Sequence, residues 1–330
     1  MKCAVIGAGA WGTALGNLLS ENGHDTTIWA LEPDVAEAID SGHENPRFLP
    51  GAVLHAGLRG TTDKALAVDG ADLIVFASPS QVLRGVCAEC NAAARATATL
   101  VVATKGIERG ALALMTDVVS AELPGRPVVG LSGPSFASEV AARQPTAVVA
   151  ASRDAAAAAF AQSLFSSPGF RVYTHDDVVG VELGGALKNV MAVATGISDG
   201  LGLGHNARAA LITRGLAEIM RLGATLGARP ATFAGLAGVG DLVLTCTGAL
   251  SRNRSVGLEI GRGRALTDVL AGRETIAEGI ATTESAKALA EREGVDMPIV
   301  AAVYRVLFER QPARWALVEL MTRGLRGEED

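Results

Sequence analysis

Lysine and aromatic residues are scarce in this chain of 330 residues, which has 5 lysines against 24 arginines and only 4% aromatic residues. No long Lys/Arg run occurs and the formal net charge is −6, which argues against a nucleic-acid surface. Four cysteines are too few for a disulfide scaffold in a chain of this length. Cys87 and Cys90 form a lone C-x-x-C without a second pair or a nearby histidine, so we expect no metal site.

Two kinds of segment are also missing. No stretch of about 18 uncharged apolar residues occurs, so we expect no membrane span. The N-terminus lacks the apolar region and the small-residue cleavage site of a signal peptide, which favours a reducing cytoplasm. Apolar residues make up 49% of the chain and charged residues 19%, a balance typical of a globular protein with room for two domains.

The first half alternates short apolar runs with helical patterns. This order predicts βαβ units in a doubly wound, mostly parallel sheet covered by helices on both faces. The expected strands are Lys2–Ile6, Thr26–Ala30, Leu73–Ala77, Leu100–Ala103, Val128–Leu131, Ala147–Ala151 and Arg171–Tyr173. The expected helices are Thr13–Asn22, Pro33–Ser41, Gln81–Ala94, Ala111–Glu122 and Asp154–Phe165.

After Tyr173 the strand signals stop and the pattern becomes helical. We therefore expect an α/β domain over residues 1–175 and an all-α domain over residues 176–330. The expected helices of the second domain are Val178–Ser198, Asn206–Leu226, Ser251–Arg262, Ala265–Ala271, Thr283–Glu293, Pro298–Phe308 and Pro312–Leu320. Its apolar helices could form a homodimer interface or be core.

The segment from Gly7 to Gly12 is a G-x-G-x-x-G motif that follows a strand and opens a helix. Gly7 permits the tight turn, Gly9 lets the backbone approach a pyrophosphate, and Gly12 allows close packing of helix and strand. The helix N-terminus supplies N–H donors for that anion. The motif therefore predicts a dinucleotide site.

An acidic residue stands where the adenosine ribose is expected. Glu32 lies 20 residues after Gly12, near the end of the second strand, and can accept hydrogen bonds from the ribose hydroxyls. Its alternative role is a solvated loop charge or a charge at a helix N-terminus. Because no arginine or lysine lies nearby in residues 30–34, electrostatics favour NAD over NADP.

Lys188 is the one cation in the apolar, glycine-rich stretch ELGGALKNVMAVATGI. An ammonium group in such surroundings must be paired, or its pKa must fall through desolvation. A lysine with a lowered pKa can exchange a proton near neutral pH, whereas an arginine cannot. The alternative is a lysine whose head group reaches water.

Further polar residues are expected beside Lys188. Lys105 follows a buried strand of the first domain, at the edge where doubly wound sheets bind ligands. The loop that contains Gly133 and Ser135 follows the next strand, and Asp241 is a carboxylate in a glycine-rich turn. Arg252 opens a helix, a position suited to a phosphate. Together these residues predict a pocket for a small phosphorylated hydroxy or keto compound.

Six segments occur in the order found in one family. They are GAGAWGTALG, ATKGIE, LSGPSFASEV, ELGGALKNV, GVGDLVLTCTGALSRNRSVG and AEGI. The chain resembles, over nearly its whole length, bacterial-type NAD(P)-dependent glycerol-3-phosphate dehydrogenases. The resemblance implies interconversion of sn-glycerol 3-phosphate and dihydroxyacetone phosphate for phospholipid synthesis. It also implies a Rossmann-like first domain and a second domain of the 6-phosphogluconate dehydrogenase type.

The resemblance also assigns residues by position. It implies that Lys188 is the proton donor and acceptor, assisted by Lys105 and Asp241. The implied substrate contacts are Lys105, Gly133, Ser135, Lys188, Asp241, Ser251, Arg252 and Asn253. The implied cofactor contacts, with the glycines and Glu32, are Ala10, Trp11, Leu31, Lys105, Ala137, Arg252, Ile276 and Glu278. Ala10 replaces a frequent serine, and Leu31 stands where many members carry histidine or arginine.

Two other functions remain open at this point. A β-hydroxyacid or 6-phosphogluconate-type dehydrogenase would share the fold and the lysine, but would need a site for a carboxylate. A non-catalytic NADH-sensing protein would need neither the buried lysine nor Asp241 and Arg252.

Overall fold

A computed structural model of the chain describes residues 1–271, 277–325 and 327. Eight strands form one sheet in the order β10-β9-β8-β7-β6-β1-β2-β5, parallel throughout except for the β8–β9 pair. A short hairpin, β3–β4, lies apart. The strands are β1 Lys2–Ile6, β2 Asp25–Trp29, β3 Glu44–Asn45, β4 Leu49–Val53, β5 Leu58–Thr61, β6 Leu73–Phe76, β7 Thr99–Val102, β8 Val128–Ser132, β9 Thr146–Ala151 and β10 Phe170–His175.

Helices cover both faces of this sheet, as strands that are apolar on both sides require. The strand order reverses direction between β1 and β6, and open α/β sheets bind ligands at such a switch point. The helices of this part are α1 Ala10–Glu21, α2 Pro33–Gly42, α3 Lys64–Val68, α4 Leu83–Cys90, α5 Met115–Glu122, α6 Ala137–Ala141 and α7 Ala155–Phe165. The predicted doubly wound, mostly parallel domain is confirmed.

The seven predicted strands are present, with ends displaced by at most two residues. Prediction missed β3–β4 and the edge strand β5, whose sequence LRGT has little apolar character. The helix predicted from Ala111 was wrong at its start, because Leu112 adopts a positive φ of 54° and α5 begins at Met115. The helix predicted over Gln81–Ala94 is shorter at both ends.

The second part of the chain is helical, as predicted. Its helices are α8 Val178–Gly200, α9 His205–Thr225, α10 Pro230–Phe233, α11 Asp241–Thr247, α12 Arg252–Gly261, α13 Leu266–Leu270, α14 Glu278–Glu293, α15 Pro298–Phe308 and α16 Ala313–Met321. A kinked turn, Leu236–Gly240, precedes α11. Since β10 ends at His175 and α8 begins at Val178, we keep the domain boundary between residues 175 and 176 as a proposal.

Helix α8 is the centre of the second domain and packs tightly against α12. A Cβ atom on Gly196 would lie 2.2 Å from the Arg254 carbonyl oxygen, and one on Gly257 would lie 2.2 Å from that of Val193. Glycines on both helices therefore let the two backbones touch, and this contact fixes α12 relative to Lys188.

Helix α8 is also long and apolar enough to meet the length and composition of a membrane span, and it alone does so among the described residues. However, 83% of its most apolar window is buried inside the protein. Eighteen of its residues, including Lys188, are buried. Its apolar character is that of a core helix surrounded by other helices.

The two domains share apolar contacts. Ile107 and Leu114, from the segment between β7 and α5, belong to the core of the second domain. On the other side of the site, Val149 of β9 packs with Val181 and Ala237. This interface holds α8 against the ends of the central strands, where the site residues lie.

Candidate active site

The turn between β1 and α1 has the geometry of a dinucleotide loop. Gly7 adopts a φ of +119°, and a Cβ atom on Gly12 would lie 1.8 Å from the Gly7 carbonyl oxygen, so both positions require glycine. A Cβ atom on Gly9 would meet nothing within 4 Å. Open space therefore faces the N-terminus of α1, next to Ala10 and Trp11. The residues present fit a bound pyrophosphate.

The end of β2 carries the two residues expected near the adenosine ribose. Leu31 is 72% exposed. Glu32 stands at the N-cap of α2, but its side chain makes no capping hydrogen bond, so both carboxylate oxygens can accept bonds from a ligand. This placement fits a ribose with unmodified hydroxyls.

Three charged side chains meet where the two domains touch. Lys105 Nζ donates to Asp241 Oδ2 at 2.7 Å, and Lys188 Nζ donates to Asp241 Oδ1. The Asp241 side chain is 1% exposed, that of Lys188 9% and that of Lys105 16%. Lys188 and Asp241 come from the second domain and Lys105 from the first. The structure therefore brings together the three residues to which the sequence assigned catalysis.

Burial lowers the pKa of Lys188 to about 7, because its attraction to Asp241 only partly offsets desolvation and Lys105 repels a second ammonium. Desolvation would raise the pKa of Asp241, but the charges of Lys105 and Lys188 hold it below its usual range. Asp241 therefore remains a carboxylate, while Lys188 can exist in either protonation state near neutral pH.

Two glycines bring Lys188 to this position. A Cβ atom on Gly184 would lie 2.3 Å from the Ala237 carbonyl oxygen, and one on Gly185 would lie 2.5 Å from Ser132 Oγ. Larger residues would push α8 away from the kinked turn on one side and from β8 on the other. The glycines before Lys188 thus allow its amine to reach Asp241.

The loop after β8 lies beside the lysines. Lys105 Nζ donates to the Gly133 carbonyl at 3.3 Å, and Ser135 Oγ donates to the same carbonyl at 3.0 Å. Gly133 adopts a φ of +143°, and a Cβ atom there would lie 2.9 Å from the Val148 Cα atom. The carbonyl therefore orients Lys105, and Ser135 beside it is half-buried.

Neighbouring polar side chains at the start of α12 have different surroundings. Ser251 caps the helix by accepting from the Arg254 N–H at 3.2 Å. Arg254 itself pairs with Asp199, whereas Arg252 is exposed at the helix N-terminus. Asn253 is buried. Of these four residues, Arg252 is the one placed to meet an anionic ligand.

Asn253 is already bonded inside the protein. Its Nδ2 donates to Asn189 Oδ1 at 2.9 Å, and its Oδ1 accepts from the Gly279 N–H at 2.9 Å. These bonds join α8, α12 and α14. The second N–H of the amide has no acceptor among the described residues.

The remaining predicted cofactor contacts are spread along the domain interface. Glu278 accepts from the Ser80 N–H at 3.1 Å and from Ser80 Oγ at 2.5 Å, which links α14 to the loop after β6. Burial raises the pKa of Glu278, although Ser80 and the charge of Arg252 oppose the rise. Ala137 is the first residue of α6, and Ile276 lies outside the described residues.

Sequence prediction missed two polar residues that support the site. Asn45 is fully buried and its side chain bonds to the dinucleotide loop. Glu182, which precedes Lys188 on α8, accepts from the Thr116 N–H at 2.9 Å and so caps α5 from the other domain. Asn45 lies in a segment without a clear periodic pattern. Glu182 could have been found as a second charge in the apolar α8.

The cysteines lie apart from this chemistry. All four are buried and unpaired. Burial raises the pKa of Cys90 to about 11 and raises that of Cys87 further, so both remain thiols. Over the described part of the chain, no group of three or more His, Cys, Asp or Glu side chains is placed to hold a metal ion.

Comparisons with known proteins address both domains. Residues 2–158 match a family model described as NAD-dependent glycerol-3-phosphate dehydrogenase N-terminus. Residues 177–318 match the model of the C-terminus of the same family. The two models together cover most of the chain, and both contain candidate site residues.

Curated relatives and solved structures agree with these matches. A glycerol-3-phosphate dehydrogenase (NAD(P)+) of Geobacter sulfurreducens is 57% identical over 330 residues, covering 99% of this chain and 98% of the relative. The same enzyme of Trichlorobacter lovleyi is 53% identical and is covered over the full length of both chains. A crystal structure of glycerol-3-phosphate dehydrogenase from Coxiella burnetii has a TM-score of 0.94 and 40% identity, covering 97% of this chain and 98% of that one.

Proposed function

Because this chain belongs to the NAD-dependent glycerol-3-phosphate dehydrogenase family, its reaction is the NAD(P)-dependent interconversion of sn-glycerol 3-phosphate and dihydroxyacetone phosphate, and we propose that Lys188 exchanges the proton. The family matches in both domains leave no reason to retain a 6-phosphogluconate-type dehydrogenase or a non-catalytic sensor. The observation that carries the proposal is the convergence of Lys105 and Lys188 on one buried carboxylate, Asp241.

The chemistry needs one proton and one hydride. The nicotinamide, when bound, supplies the hydride to the ketone carbon or removes it from the alcohol carbon. Lys188 as ammonium gives its proton to the ketone oxygen during reduction, and the neutral amine takes the hydroxyl proton during oxidation. A pKa of about 7 allows both states near neutral pH. The amine is recharged or discharged by solvent after each turnover.

Asp241 and Lys105 have separate supporting roles. Asp241 receives one bond from each lysine and fixes the direction of both amines. Lys105, held also by the Gly133 carbonyl, adds a positive charge beside the site that keeps the pKa of Lys188 low. We infer that Lys105 also contacts the substrate, since its side chain is the more exposed of the two.

The substrate phosphate is assigned to the N-terminus of α12. Arg252 is exposed there, and its guanidinium can form two parallel charge-assisted bonds to a phosphate. Ser135 and the remaining N–H of Asn253 are the other donors that we assign to the substrate. Arg254 is excluded from this role because its bonds to Asp199 occupy it.

We propose that NAD is the preferred cofactor. The Glu32 carboxylate is available to the ribose hydroxyls and would repel a 2′-phosphate. Leu31 beside it offers no positive charge. The glycine loop can bind NAD and NADP equally well, so we assign the cofactor preference to Leu31 and Glu32.

Three broader assignments remain proposals. We propose that the glycerol 3-phosphate serves phospholipid synthesis and that the protein acts in the cytoplasm.

We also propose a homodimer, supported by the exposed apolar side chains of Trp315, Val318 and Met321 on α16. Sedimentation analysis of a Trp315→Glu variant tests the dimer, since an unchanged mass would exclude α16 from its interface.

The test of the lysine assignment compares three proteins. Replacing Lys188 by alanine should reduce kcat by about 10²- to 10⁴-fold, the usual contribution of general acid catalysis, with an unchanged Kd for NADH. Lys287→Met, which removes another carboxylate-paired lysine, is the matched control and should keep full activity. Near-wild-type turnover of Lys188→Ala with dihydroxyacetone phosphate would refute the role.

A further inference from the structure

One buried amide side chain holds the carbonyl group at the tip of the dinucleotide loop. Asn45 Nδ2 donates to the Ala8 carbonyl at 2.9 Å and to Thr13 Oγ1 at 2.8 Å. Thr13 Oγ1 donates to the same Ala8 carbonyl at 3.1 Å. Asn45 and Thr13 are both 0% exposed, so these bonds form without competition from water.

The other end of the Asn45 side chain is fixed as well. Its Oδ1 accepts from the Phe48 N–H at 3.0 Å, which closes a tight turn after β3. Leu49, the residue paired with Asn45 in the hairpin, begins β4, and the Phe48 ring packs against the core of the first domain. The amide is therefore held rigidly, and its position is set by the hairpin.

A fixed Ala8 carbonyl determines where the next N–H points. The carbonyl of Ala8 and the N–H of Gly9 belong to one planar peptide group, and in a trans peptide they point in opposite directions. No cis peptide bond occurs in the described residues. Since Asn45 and Thr13 draw the carbonyl inward, the Gly9 N–H is turned outward.

The outward direction is the one a ligand would occupy. A Cβ atom on Gly9 would meet nothing within 4 Å, and Gly9 is the N-cap of α1. No acceptor within the described residues bonds the Gly9 N–H. Its donor is therefore available to an anion beside the helix N-terminus.

From this arrangement we propose that Asn45 is a positioning residue for the cofactor, acting through the Ala8–Gly9 peptide to aim the Gly9 N–H at the pyrophosphate. The inference rests on the proposed cofactor location at the glycine loop. The side chain of Asn45 bonds to Ala8, Thr13 and Phe48 and to none of Lys105, Lys188 and Asp241, so it acts on cofactor affinity and not on the proton transfer.

The test uses Asn45→Asp, which keeps the size of the side chain and an acceptor for Phe48 but removes both N–H donors, together with Thr13→Val, which adds no charge that could itself repel the pyrophosphate. Removing bonds that satisfy a buried carbonyl should raise the Kd and KM for NADH about 10-fold, while kcat stays within about twofold. Thr13→Val removes the hydroxyl from the same network and should raise both constants about threefold. The double variant should show less than the product of the two effects, because both act on one carbonyl.

The control is Asn22→Ala, at the other end of α1, where the amide donates to the Leu164 carbonyl at 2.8 Å. It should leave the Kd for NADH unchanged even where it lowers the melting temperature. Should Asn45→Asp fail to fold, Thr13→Val alone decides. An unchanged NADH affinity in the folded variants, or an equal loss in Asn22→Ala, would overturn the inference. Failure of the wild-type protein to bind NADH in calorimetry would instead refute the proposed cofactor site.

Discussion

Replacing Asp241 by asparagine removes the anion between two amines without changing the shape of the side chain. At a separation of about 4 Å and an effective dielectric constant of about 20, one unit charge contributes about 4 kcal/mol, which corresponds to about three pKa units. The pKa of Lys188, about 7 in the intact site, should therefore fall towards about 4.

The effect on the rate follows from the protonated fraction. At pH 7 the fraction of Lys188 in the ammonium form should fall from about one half to about one in a thousand. A stronger acid transfers its proton more readily, which recovers part of this loss. We expect kcat/KM for ketone reduction at pH 7 to fall by between about 10-fold and 500-fold. Because the equilibrium constant of the reaction is unchanged, kcat/KM for glycerol 3-phosphate oxidation should fall by the same factor.

The assay is the initial rate of NADH oxidation with dihydroxyacetone phosphate, measured from pH 5 to 9. In the intact protein kcat/KM should decline as the pH rises through about 7, since the ammonium is the reactive form. In Asp241→Asn the decline should already be under way at pH 5. Asp199→Asn is the control, because the Asp199 side chain is only 6% exposed and is also paired with two cations, but these are Arg208 and Arg254 and not Lys188.

Two outcomes would refute the reasoning. A decline that stays near pH 7 in Asp241→Asn would mean that Asp241 does not set the charge state of Lys188. An equal displacement of the decline in Asp199→Asn would mean that any buried carboxylate of this domain has the same effect. A lower melting temperature in either variant, with the pH profile as expected, leaves the conclusion intact.

Two further predictions concern the cofactor and the pH dependence of stability. The double variant Leu31→Arg/Glu32→Ser should raise kcat/KM for NADPH relative to NADH by at least about 10-fold, because it replaces a charge that repels the 2′-phosphate with one that attracts it. Steady-state kinetics with each cofactor tests this prediction. Glu218 accepts from the Ile299 and Val300 N–H groups, and burial raises its pKa from an ordinary value of 4.5 to about 7. The native state therefore binds this proton more tightly than the unfolded state does. The contribution of Glu218 to the free energy of unfolding is complete below pH 4.5. It decreases by about 3 kcal/mol as the pH rises to about 7. Urea unfolding of Glu218→Gln should show a smaller loss over this range, and an undiminished loss would assign it to other groups.

Local features of the sequence predicted the dinucleotide loop and the alternating first domain. Gly7, Gly9 and Gly12 lie within six residues, so the turn that they form is specified by its own backbone. Lys188 was found because a charge in an apolar helix is conspicuous in the sequence alone. Edge strand β5 was missed because it is half exposed and its sequence is largely polar.

Contacts between distant residues had to come from the tertiary structure. Lys105 and Asp241 are 136 residues apart and their bond crosses the domain interface, so no local pattern could pair them. Arg252 and Arg254 look alike in the sequence, but their positions on α12 leave one exposed and place the other against Asp199. Asn45 lies in a segment without a periodic sequence pattern, and its bond to the Ala8 carbonyl is visible only in the folded chain.

Neighbouring residues and local hydrophobic periodicity were enough to predict the alternating strands and helices of the first domain, the glycine loop and the buried lysine that we propose as the proton donor. Only the folded chain shows that Lys188 and Lys105 bond to the same carboxylate, that Arg254 pairs with Asp199 while Arg252 is exposed, and that the Asn45 amide bonds to the loop. These contacts depend on how the two domains pack against each other. The reactivity of a charged group or a hydrogen-bond donor is set by the groups that the fold places within a few ångströms of it.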